Sequence, residues 1–103
     1  MNLSDAKMIL ISQLEGYLNG KISLKVMRDF SWNMIEYFSK CKKTELPAPQ
    51  DFEKELWYAI WEIQHLADEA HEEEDVTRKT LTEALEYLKK TKKIPESYEG
   101  IRP

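Results

Sequence analysis

Little in this chain can staple, bend or insert it. A single cysteine, Cys41, excludes an intramolecular disulfide and a cysteine zinc cage, and it suits a reducing compartment. The three glycines and four prolines fall almost entirely between or after apolar-periodic segments, where they act as punctuation. Long hydrophobic runs are missing: Met8 to Ile11 is four residues, without a basic leader or cleavage site, so the sequence predicts no signal peptide and a cytoplasmic protein. A basic surplus is also missing. Fifteen Lys and Arg against nineteen Asp and Glu give a net charge of −4, which argues against a nucleic-acid binder and against an acidic membrane surface as partner. What is present is 42% hydrophobic and 33% charged content over 103 residues, the signature of one folded domain spanning residues 1–103. A domain this small buries somewhat more than ~60% of its unfolded surface, so a deep private active site would consume much of its core. A non-enzymatic role is the expectation.

Hydrophobic spacing predicts four helices, at about 5–19, 24–41, 51–74 and 78–93. Wound at roughly 100° per residue, Leu3, Ala6, Leu10, Ile11, Leu14, Tyr17 and Leu18 share one side of the first, with Ser4 or Asp5 as cap and Asn19-Gly20 as stop. Ser23 caps the second, whose stripe is Val26, Met27, Phe30, Met34, Ile35, Tyr37, Phe38 and Cys41; Cys41 therefore reads as a buried structural thiol. Leu46-Pro47-Ala48-Pro49 is a stiff connector, since each proline also drives its predecessor out of helical conformation. The third helix carries Phe52, Leu56, Ala59, Ile60, Ile63, Leu66, Ala67 and Ala70. The fourth shows a narrow stripe of Leu81, Ala84, Leu85 and Leu88, which predicts an outer position. Ile94-Pro95 ends it, and the rest reads as an extended C-terminal tail with Ile94, Tyr98 or Ile101 as candidate anchors. The expected architecture is all-α, a small antiparallel bundle.

Chemistry-bearing patterns are few. Glu62 with His65 and Asp68 with His71 both have the carboxylate-x-x-His spacing of di-iron bundles. The two histidines are six residues apart, a rotation of roughly 240°, and no second helix carries such a pair, so surface histidines are the simpler reading. No cofactor is expected, and neither a zincin motif nor a phosphate-cradling glycine loop occurs. Two surpluses stand out instead. Trp57 and Trp61 lie on one flank of the third helix with Gln64 and Asp68, while Tyr58, His65, Glu69 and Glu72 form its other outer ridge; Trp32 is rotated roughly 60° off its own stripe. Such tryptophans either fill wide interhelical gaps or anchor an interface. From Glu55 through Thr77 there are eight acidic residues and no Lys or Arg, followed by Arg78, Lys79, Lys89, Lys90, Lys92 and Lys93. Carboxylates at the end of the third helix would oppose its dipole, which points to a cationic partner.

Gly16-Tyr17-Leu18-Asn19-Gly20-Lys21-Ile22-Ser23, followed by Phe30 and Trp32, resembles the first helix-turn-helix of small immunity proteins. The segment Ile63 to Ala70, the acidic stretch to Asp75, Arg78 and the Leu81–Leu88 helix are similar to the second half of the same group: the self-protective colicin-like immunity proteins, including that of colicin D, and those of contact-dependent growth inhibition systems. The resemblance spans most of residues 8–90. It implies a non-catalytic inhibitor that covers the active site of a cognate toxin domain, often a nuclease acting on tRNA. The expected contact surface is Glu69, Glu72, Glu73, Glu74 and Asp75, with Asp68, Tyr58, Trp61 and His65 beside them. Two other readings fit the same residues: a helical adaptor without a toxin partner, and a metal-binding ferritin-like bundle. A nucleic-acid binder using Lys89 to Lys93 is a further one.

Overall fold

The computed structural model describes residues 2–68, 74–97 and 100–103, with the side chains of residues 67 and 68 left out. Among the described residues there are four α-helices and no strand: α1 (Leu3–Leu18), α2 (Leu24–Lys40), α3 (Glu53–Asp68) and α4 (Glu74–Leu88), plus a short 3-10 turn at Lys43–Glu45. They form a small helical bundle in which α1 and α3 each pack against both α2 and α4. None is long and apolar enough to cross a membrane.

Local chemistry sets the ends. Asn2, not Ser4 or Asp5, caps α1: its side-chain oxygen accepts from the Ser4 amide at 2.8 Å and the Asp5 amide at 3.3 Å. At the other end Lys21 N–H donates to the Gly16 carbonyl (2.8 Å) and Gly20 N–H to the Tyr17 carbonyl (3.0 Å), with Gly20 at φ 73°. That is a Schellman closure, and glycine takes the left-handed position without a Cβ penalty. The same pattern ends α4: Thr91 N–H donates to Glu86 (3.0 Å) and Lys90 N–H to Tyr87 (3.1 Å), with Lys90 itself at φ 59°. The fourth helix thus stops five residues before the expected boundary. Its first turn holds Glu74, the expected last residue of the third helix, and Asp75, the residue just beyond that expected end.

The core is drawn from all four helices: Leu3, Ala6, Leu10 and Leu14; Met27, Met34, Ile35 and Phe38; Leu56, Trp57, Ala59, Ile60, Ile63 and Leu66; Leu81, Ala84 and Leu88. Trp57 departs from its expected flank position. It is fully buried, its ring edge-on to Phe38 at 4.8 Å, and its indole N–H donates to Glu53 Oε1 at 3.1 Å. A buried indole with its one donor satisfied fills a large volume at no polar cost. The structure also corrects two further expectations. Helix α4 buries one face, but a wider one than its narrow leucine stripe predicts, because Thr77 and Tyr87 join it where it packs on α1 and α3. Cys41 is half-buried rather than buried, its Sγ 3.8 Å from Glu45 Oε2, because α2 ends at Lys40 and Cys41 has extended dihedrals.

Candidate functional site

Between the outer edges of α2 and α3 lies an open cleft of about 520 Å³, lined by Trp32, Ile35, Trp61, Glu62, Gln64 and His65. Its walls are fixed from within. Gln64 Nε2 donates to the Arg28 carbonyl at 2.8 Å, tying α3 to α2 at one end. Ile35 belongs to the buried face of α2 and forms the apolar base. Trp32 and Trp61 are 50% and 38% exposed, so both indoles combine solvent-accessible apolar area with packing on one side. The Trp61 N–H is bonded to the Ile101 carbonyl at 2.8 Å.

Glu62 is the carboxylate of the cleft lining. Burial pushes the Glu62 carboxyl above its ordinary range, with the nearby His65 pulling in the opposite direction. No lysine or arginine of the described residues pairs with Glu62. On α2, the Lys40 ammonium, 2.7 Å from Glu36, holds the Glu36 carboxyl below its usual value, and the Trp32 indole adds a hydrogen bond to it. Such a surface offers two large anchors with a carboxylate and an imidazole at their rim.

The expected contact residues are only partly gathered here. Trp61 and His65 line the cleft. Tyr58 does not; it is half-buried and stacks edge-on against Tyr87 of α4 at 5.5 Å. Asp68 is the last residue of α3, and Glu69, Glu72 and Glu73 lie outside the described residues, as does His71. Glu74 and Asp75 are exposed, but in the first turn of α4, where the positive end of the helix dipole stabilises carboxylates. At that end of a helix these two carboxylates oppose no dipole, so their placement does not point to a cationic partner. Trp32, Ile35, Glu62 and Gln64 were not among the expected contacts. The signal for Trp32 was its position off the apolar stripe, which only the neighbouring α3 turns into a cleft wall.

Elsewhere the polar groups have local uses. Lys90, Lys92 and Lys93 line a second cleft of about 350 Å³ with Glu55, Tyr87 and Ile94. Lys92 is 4.0 Å from Glu83 and 5.9 Å from the centre of the Tyr87 ring, and the cluster follows the negative end of α4. Among the described residues no group of three or more His, Cys, Asp or Glu side chains is placed to hold a metal ion. Compared with protein-family models, curated proteins and solved structures, the chain matches none.

Proposed function

We propose that the chain is a cytoplasmic immunity protein that binds the toxic C-terminal domain, a basic nuclease, of a cognate bacteriocin or contact-dependent growth inhibition toxin and covers its active site. The observation that carries this reading is the pair of part-exposed tryptophans, Trp32 and Trp61, flanking one open cleft in a stretch of α3 without Lys or Arg beyond Lys54. Tryptophan is among the residues most enriched at energetic centres of interfaces, because a rigid indole buries much area at little entropic cost. Carboxylates around it accelerate capture of a basic surface, and desolvated aromatics slow release. The inhibitor occupies ground that RNA phosphates would otherwise take.

Co-expression with the C-terminal domain encoded by the adjacent upstream reading frame tests this. The expected result is restored growth and a stable co-purifying complex. Undiminished toxicity with no complex overturns the reading, and an upstream frame with no toxic domain favours the helical adaptor instead.

A further inference from the structure

Residues 100–103 lie along α3 in a way that chain connectivity alone does not explain. Three separate contacts hold them. A Cβ at Gly100 would collide with the Lys54 carbonyl and sit 2.7 Å from the Tyr58 amide nitrogen, so only glycine allows the segment to lie directly on the helix backbone. One residue on, the Ile101 carbonyl accepts from the Trp61 indole at 2.8 Å. Next, Arg102 Nε donates to Glu53 Oε1 at 2.8 Å, with Nη2 2.7 Å from the same oxygen as an ion-pair contact. Nη1 donates to the Pro47 carbonyl at 3.2 Å, and the guanidinium lies 5.0 Å from the Phe38 ring centre.

The receiving side is built independently of Arg102. Glu53 accepts from its own helix start, Gln50 N–H at 2.7 Å, and from Trp57 Nε1 at 3.1 Å, and its side chain is only 12% exposed. A carboxylate oriented by two fixed donors, together with the Phe38 ring and the Pro47 carbonyl that the guanidinium also meets, is an arginine receptor. The exposed side chain of Ile101 contributes no side-chain selection at the middle position.

We propose that this face of α3 is a recognition site for an extended Gly-x-Arg segment, filled by the chain's own Gly100-Ile101-Arg102 as a latch that fixes the Trp61 indole walling the cleft. Its consequence for partner binding rests on the functional reading above; the site itself does not. Because a tethered segment acts at an effective concentration of about millimolar, a free peptide cannot displace it from the unmodified chain. The test therefore uses full-length variants, each checked for an unchanged helical spectrum.

In Arg102→Ala, and separately in Gly100→Ala, the Trp61 indole proton should exchange with solvent at least tenfold faster. The Trp57 proton should keep its protection, since its acceptor Glu53 remains. Arg102→Lys should fall between, keeping the charge and losing the fork. In a Gly100→Ala, Arg102→Ala chain, acetyl-Gly-Ile-Arg-Pro amide should saturably restore the Trp61 indole signal, and the same peptide with citrulline for arginine should not. Unchanged Trp61 exchange in both single variants overturns the latch. No restoration, or equal restoration by the citrulline peptide, overturns the Gly-x-Arg site. All of this is read on the chain without a toxin, so absence of toxin binding would remove the immunity reading and leave the latch standing.

Discussion

Single side chains decide how this bundle's tryptophans divide their labour. All three stand off the apolar stripes by the helical wheel, yet Trp57 is core, Trp61 is a latched wall and Trp32 is a half-open wall. The wheel places a residue relative to its own helix axis; which neighbour fills that direction is a tertiary matter, and for Trp57 the neighbour is Phe38. The glutamate beneath Trp57 is pH-sensitive. Burial works to raise the Glu53 pKa, but the Gln50 amide, the Trp57 indole and the Arg102 guanidinium outweigh it and hold the carboxyl below its ordinary value of 4.5. A carboxyl lowered by folding stabilises the native state above that ordinary value, and the contribution disappears as pH falls through the folded-state value. Thermal melts of the unmodified chain and Glu53→Gln should therefore differ at pH 7 by about 1–2 kcal/mol, and the difference should shrink as pH falls through the folded-state value. Lys90 offers a gain instead. Its φ of 59° costs a side-chain-bearing residue about 1 kcal/mol in the closure of α4, so Lys90→Gly should raise stability by about 0.5–1 kcal/mol, measured by urea unfolding.

At the scale of elements, the existence of the four helices was legible in the sequence, while the junction of α3 and α4 and the end of α4 were not. The Asn19-Gly20 stop is local chemistry, a left-handed glycine one residue past the cap, and it lies where the sequence placed it. The junction of α3 and α4 carries no proline and no helix-stopping glycine. Its acidic run therefore reads as a continuation of α3 to about Glu74, whereas Glu74 and Asp75 begin α4. The sign of their contribution changes with that assignment. At a helix start, carboxylates face unsatisfied N–H groups and the positive end of the dipole. Glu74→Gln and Asp75→Asn should each cost about 0.3–1 kcal/mol at low ionic strength, with the loss shrinking in 0.5 M salt. Had they belonged to the end of α3, neutralising them would stabilise the fold. A urea titration of the double variant at two salt concentrations separates the two cases by the sign of the change.

For the whole molecule, several large apolar side chains stay exposed, Met8, Ile9, Val26 and Val76 among them, but Trp32 and Trp61 are the two that face each other across one cleft. The expected surface was an acidic band along one element; the structure offers a cleft made by two, and no periodicity within α2 or α3 alone predicts which residues meet across it. Trp32 and Trp57 make the contrast measurable. Trp57→Ala removes a fully buried indole and its hydrogen bond to Glu53, and should destabilise the chain by about 3–5 kcal/mol in urea unfolding. Trp32→Ala removes a half-exposed ring from the wall of an open cleft, and should change stability by no more than about 1 kcal/mol. If the cleft is the centre of a toxin interface, the same Trp32→Ala chain should bind the toxin domain at least about tenfold more weakly, chiefly through faster dissociation, whereas neutralising the surrounding carboxylates should slow association in a salt-dependent way. Equal toxin affinity for the unmodified and Trp32→Ala chains, at matched stability, would place the interface on another face of the bundle.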